Sequence, residues 1–88
     1  MTEKELKKII LSALREVAPD ADIENLNPNI EFRDQFDFDS VDFLNFTAAL
    51  EKAFKIHIPE SDCPKLGTVN GGIGYLKDAI TQTGEGRA

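Results

Sequence analysis

The sequence predicts an all-α domain, a small four-helix bundle of three long helices and one short one, with a long loop between the first and second. Two observations carry this. Apolar residues recur at helical spacing in three separate segments, divided by a Pro-, Asp- and Asn-rich stretch and by a short Ile-His-Ile-Pro link. At 88 residues and 41% hydrophobic content, the chain has material for one modest core and no second domain. The helical domain is expected over residues 1–83, with 84–88 as a flexible tail.

The first segment runs from Thr2 to Val17, where Leu6, Ile9, Ile10, Ala13, Leu14 and Val17 form one stripe. Thr2 is the expected N-cap, with Glu5 completing a capping box, and Pro19 prevents continuation. From Pro19 to Phe38 there is no steady period. This reads as a loop, pinned by its own apolar residues Ile23, Leu26, Ile30, Phe32, Phe36 and Phe38. A second long helix is expected from Asp39-Ser40 to about Phe54. Phe43, Phe46, Thr47, Leu50 and Phe54 form its stripe, and Val41, Leu44 and Ala48 lie along the flank. Asp39 is its N-cap, Asp42 lies in its first turn, and Lys52 and Lys55 lie at its other end, all matching the helix dipole. The isoleucines of Ile56-His57-Ile58-Pro59 alternate inward. A brief helix follows, with Ser61 as its cap and Pro64 in its first turn. Thr68 then caps a last helix with Val69, Ile73, Leu76 and Ile80 on one face, in which Gly71, Gly72 and Gly74 permit close packing.

Charge is unevenly distributed. The net charge is −6, yet residues 20–42 hold eight carboxylates against Arg33 alone, for −7, and the remainder sums to +1. Such a surface repels nucleic-acid phosphates and anionic lipid and favours basic patches on other proteins, although an acidic loop kept for solubility reads equally well from charge alone. One cysteine, Cys63, and one histidine, His57, exclude an internal disulfide and a four-ligand zinc site. No membrane span or secretory signal is evident, and the cytoplasm is the expected location.

Several constellations fail on their chemistry. Asp37 to Asp42 looks like a calcium loop, but its sixth position is Asp42 where glycine is required and its twelfth is Ala48 where a glutamate belongs. Gly72-Ile73-Gly74 lacks the third glycine of a dinucleotide fingerprint. Asn45-Phe46-Thr47 falls inside a helix, so its match to a glycosylation sequon is accidental. His57 reads as an exposed link residue and Cys63 as a small packing residue. Ser40 remains. At the first turn of a helix its hydroxyl lies beside unsatisfied N–H groups and the positive end of the dipole. An anion attached there is stabilised, although Asp39 and Asp42 oppose its charge in part. Taken alone, it is an ordinary helix-start serine.

Its context says more. The triplet Asp39-Ser40-Val41 after an acidic loop, Leu50-Glu51 and Phe54 further along the helix, and Ile56-His57-Ile58-Pro59 beyond it together resemble the acyl carrier protein family. The resemblance extends over nearly the whole chain to about Thr81. It implies an acyl-carrier-like bundle that is not an enzyme, with Ser40 receiving a 4'-phosphopantetheine arm from coenzyme A through a phosphopantetheinyl transferase. It also implies docking of acyl-loading and acyl-transferring enzymes, through basic patches, on Asp39, Val41, Asp42 and Glu51 of a monomer. Leu44, Phe46, Ala48 and Ile58 are candidates to shelter an acyl chain, with ordinary core the preferred reading of Phe46.

The chain departs from the family pattern in places. Asp37 stands where a glycine is common, so a turn there must be made by a residue that tolerates left-handed geometry less readily. Val41 replaces the usual leucine, and Asn45 and Lys52 stand where fatty-acid-synthesis carriers show glutamates. These differences bear on which enzymes are served. Two other readings stand beside a fatty acid, lipid or polyketide-type carrier: an aminoacyl or peptidyl carrier loaded by an adenylating enzyme, and an acidic helical adaptor that is never modified.

Overall fold

The computed structural model describes residues 2–87, with side chains through residue 80. Four α-helices, α1 (Glu3–Val17), α2 (Phe32–Gln35), α3 (Ser40–Phe54) and α4 (Val69–Arg87), are joined by 3-10 turns at Ile23–Asn25 and Glu60–Leu66, and no strand occurs among the described residues. The three long helices are those the periodicity predicts, and the short fourth helix expected after the link is the 3-10 segment. The mobility expected of residues 84–88 concerns side chains outside the described residues.

Helix α1 is the central element, packing against both α3 and α4 through buried Leu6, Ile10, Ala13 and Leu14. Its start is the expected capping box: the Glu5 amide donates to Thr2 Oγ1 at 3.2 Å, and the Thr2 amide to Glu5 Oε1 at 2.9 Å. These bonds from Thr2 hold the Glu5 carboxyl below its ordinary value. Leu50, Leu66, Val69 and Leu76 complete the aliphatic core from α3, the 3-10 segment and α4.

The long connection is more structured than its sequence suggests. Ile23 and Phe32 are buried and anchor the two helical turns, Leu26, Phe36 and Phe38 pack at the edge of the core, and Ile30 alone of the six expected pins is exposed. Short helical turns leave no periodic signature, which is why they are missing from a periodicity reading. Polar ties complete the connection. The Gln35 side chain accepts from the Asn27 amide at 2.7 Å and donates to the Asn27 and Ile30 carbonyls at 2.8 Å each. The Phe32 amide donates to the Gly67 carbonyl at 2.9 Å, and the Asn70 amide to the Pro28 carbonyl at 3.0 Å, fastening the loop to the start of α4.

Three local expectations are corrected. The 3-10 segment is entered from Pro59 without a side-chain cap, so Ser61, itself inside the segment, is not its cap. Asp37 does not make a left-handed turn. Among the described residues Lys55 is the one non-glycine with positive φ, 56°, and it ends α3, where the Ile56 amide closes back on the Glu51 carbonyl at 3.2 Å. The α4 glycines also differ from one another. A Cβ on Gly71 would lie 2.5 Å from the Lys65 carbonyl oxygen, one on Gly72 would press on Ile10 of α1 at 3.2 Å, and one on Gly74 would meet nothing within 4 Å.

Gly74→Ala is therefore expected to stabilise the domain by about 1 kcal/mol through helix propensity, whereas Gly71→Ala should destabilise it by about 1–3 kcal/mol through overpacking. Denaturant unfolding of the two variants against the parent checks both signs.

A second expectation concerns Tyr75, whose hydroxyl donates to Asp62 Oδ2 at 2.9 Å. Burial, and then this bond to a carboxylate, pushes the phenol up to about 12. The same bond holds the Asp62 carboxyl below its ordinary value. A raised phenol pKa contributes stability that is complete below the unfolded value of about 10 and is lost as pH rises through the folded one. Because Tyr75 is the sole tyrosine and there is no tryptophan, phenolate absorbance reads it cleanly. Its midpoint should lie well above that of the denatured chain.

Candidate functional site

Asp39 and Ser40 mark the passage from the acidic connection into α3. Asp39 has extended backbone and caps the helix: Asp39 Oδ1 accepts from the Asp42 amide at 2.9 Å, and Asp42 Oδ2 accepts from the Asp39 amide at 3.3 Å. This is a second capping box, built from two aspartates. One oxygen of each carboxylate is used, and the other has no partner among the described residues. Ser40 is the first helical residue, exposed, with no hydrogen bond from its hydroxyl among those residues.

What lies under this helix start is aromatic. Phe32 contacts Phe36, Phe38 and Phe46 at ring-centroid distances of 6.2, 5.6 and 5.5 Å, and Phe38 also meets Phe43 edge-on at 6.2 Å and 83°. The rings run continuously from the loop to α3, so the backbone on both sides of Ser40 is fixed by packing. Thr47 closes the buried face of α3, its hydroxyl donating to the Phe43 and Leu44 carbonyls at 3.0 and 2.9 Å.

Beside Ser40 a cleft of about 560 Å³ opens between the loop, α3 and the 3-10 segment. Its walls include Phe38, Phe43, Pro64 and Gly67, with Glu31 and Arg33 bordering it. Glu31 can lie there because Gly67 has no side chain: a Cβ at Gly67 would come within 2.9 Å of Glu31 Oε2. Arg33 Nε pairs with Glu31 Oε1 at 3.3 Å.

The other expected site residues fall into separate places. Val41 and Leu44 are exposed, at 62% and 63%, and Ala48 is exposed one turn further on. Phe46 and Ile58 are buried in the core. The four candidates for an acyl shelter are thus divided between surface and interior, because positions 44 and 48 lie on the face of α3 away from position 46. Glu51 has internal partners: one carboxylate oxygen accepts from the Ile58 amide at 2.7 Å and lies 3.3 Å from Nδ1 of the exposed His57. Cys63 is partly buried, its Sγ 3.6 Å from the Pro59 carbonyl, and burial pushes the thiol up, away from a reactive thiolate. The cleft residues Glu31, Arg33, Phe38, Phe43 and Pro64 are not singled out as a site by sequence. Arg33 alone carries a visible signal, as the one cation of its segment.

With this geometry in place, comparison with known proteins is decisive. The family described as Phosphopantetheine attachment site matches residues 4–76. The acyl carrier protein of Zymomonas mobilis is 32% identical over 77 residues, covering 88% of this chain and 92% of its own length. The chain belongs to the acyl carrier protein family. Those of Buchnera aphidicola (34% identical, covering 86% of this chain and 90% of the relative) and Lactobacillus johnsonii (32%, covering 88% and 95%) are similar over the same span. The protein is accordingly a carrier and not a catalyst, and 4'-phosphopantetheine is its covalent prosthetic group. An exposed hydroxyl at a capped helix start, open to a neighbouring cleft, fits such a group.

The capping box predicts a measurable asymmetry. Asp39→Ala should lower unfolding free energy by about 1 kcal/mol, Asp39→Asn by a few tenths, and Ser40→Ala by no more than about 0.5 kcal/mol. Urea melts of the three variants check this order.

Proposed function

We propose that the protein is a discrete acyl carrier whose Ser40 hydroxyl bears the 4'-phosphopantetheine arm, shuttling acyl intermediates between enzymes of a fatty acid or specialised lipid- or polyketide-type pathway in the cytoplasm. The observation that carries this reading is the exposed Ser40 as first residue of α3, held between a capping box and an aromatic cluster within the span the family matches. The arm supplies a thiol that holds an acyl group as a thioester. The polypeptide fixes the position of the tether, and the α3 amides and dipole favour the negative charge of a phosphodiester there.

The same reading assigns partner docking to Asp39, Val41 and Asp42, with Leu44 joining them. Two exposed apolar side chains beside carboxylates make a small patch of mixed character, suited to brief contacts with a phosphopantetheinyl transferase and with acyl-handling enzymes that present basic residues. Glu51, engaged with the link, contributes less. Asn45 and Lys52 occupy exposed positions of α3, and they favour a dedicated pathway over general fatty acid synthesis.

Incubation with coenzyme A and a broad-specificity phosphopantetheinyl transferase, followed by intact mass, tests the attachment site. One arm is expected on the native chain and none on Ser40→Ala. An arm that persists in the variant, or none on the native chain, overturns the assignment.

A further inference from the structure

The cleft beside Ser40 has a chemistry that attachment alone does not use. A phosphodiester on Ser40 carries one negative charge and would sit next to Asp39 and Asp42, whose second oxygens are unpaired among the described residues. Arg33 is the one cation among residues 20–42 and among the described residues lining the cleft. It also borders the adjoining hollow lined by Asp37, Asp39 and Asp42, so it stands between these acids and the cleft. Its side chain is 74% exposed, and its one partner among the described residues is the Nε contact to Glu31 at 3.3 Å. The terminal nitrogens of its guanidinium are therefore available to an oxyanion, the ligand that this planar fork matches best.

The apolar part of the cleft is equally specific. The section of the arm that follows the phosphate is the pantoyl group, with its two methyls on one carbon. Phe38 and Phe43 present ring surface to the cleft and are held in place by each other and by Phe46, at 6.1 and 6.4 Å from its ring. Pro64 adds a further apolar contact from the 3-10 segment.

We infer that this cleft seats the proximal part of the arm, Arg33 taking the phosphate and Phe38 and Phe43 the pantoyl methyls, so that the arm leaves Ser40 in a preferred direction. The inference rests on the attachment at Ser40 proposed above. Arg33 is a positioning residue in this account. Glu31 competes with the phosphate for it, so charge removal at Glu31 strengthens the seating.

The test uses the protein loaded from coenzyme A carrying ¹³C-labelled pantoyl methyls, with the arm first confirmed on Ser40 by peptide mass. Loading should shift the Arg33 Nε–Hε resonance and produce nuclear Overhauser contacts from the pantoyl methyls to the Phe38 and Phe43 rings. Arg33→Gln should abolish those contacts and move the ³¹P resonance toward its position in the urea-unfolded loaded protein. Arg33→Lys should restore them in part, and Glu31→Gln should enhance them. Raising salt to about 1 M, where screening acts within about 3 Å, should weaken them. An unmoved Arg33 resonance and no methyl–ring contacts in the loaded native protein overturn the inference while leaving the carrier reading intact. Absence of an arm on Ser40 overturns both.

Discussion

The buried ring of Phe32 is the constraint on which the functional end of this molecule depends. It is 1% exposed, touches three other phenylalanine rings, and its amide is tied to the Gly67 carbonyl. The segment around it is crowded with carboxylates that repel one another, and beyond two short helical turns and a few polar ties it relies on packing to stay compact. Edge-to-face aromatic pairs are worth about 0.5–1.5 kcal/mol each beyond the area they bury. A chain of them from Phe32 through Phe38 to Phe43 and Phe46 gives the acidic loop a single position against α3. Ser40 inherits that position, since Phe38 and Phe43 flank it in sequence.

On this rigid base the aspartates have two uses. Asp39 and Asp42 each spend one oxygen on the reciprocal cap that starts α3, and each retains another that adds to the negative surface. The helix start tolerates the pair because its own amides are electropositive, and a phosphodiester on Ser40 would share that field. With such a group in place the arrangement would have a cost, mutual repulsion among three anionic groups, and Arg33, the one cation among residues 20–42, is at hand to offset it. Geometry and charge lead to the same residue.

The three long helices were legible because their apolar spacing, capping residues and terminating proline agree: Thr2 with Glu5, Asp39 with Asp42, and Thr68, whose hydroxyl accepts from the Gly71 amide at 2.9 Å. Ser40, the residue proposed to bear the arm, stands out in the sequence through its setting between an acidic loop and an amphipathic helix. What was not legible came from tertiary contact. The turns at Ile23–Asn25 and Phe32–Gln35 are too short to show a period, and the role of Gln35 as a tie across the loop depends on which carbonyls fold back toward it. Gly71, Gly72 and Gly74 look alike in sequence, and only the neighbours of each helix face separate a backbone clash from a side-chain contact from open space. The cleft draws on residues from three elements, Glu31 to Pro64, and no linear pattern joins them.

The division of the flank of α3 from its core has a consequence for how a carrier of this kind handles its partners. Val41 and Leu44 remain exposed although their burial would stabilise the domain, by about 1.5–3 kcal/mol for each side chain fully removed from water. Leaving that stabilisation unused is the expected arrangement where the same surface is covered intermittently by other proteins, since permanent burial would remove the contact. An apolar pair bordered by carboxylates gains burial energy when a basic partner arrives, yet its small area keeps the complex short-lived. On the docking surface proposed for this face, rapid exchange between enzymes would follow from the limited extent of the patch, with no movement of the aromatic base beneath Ser40 needed for it.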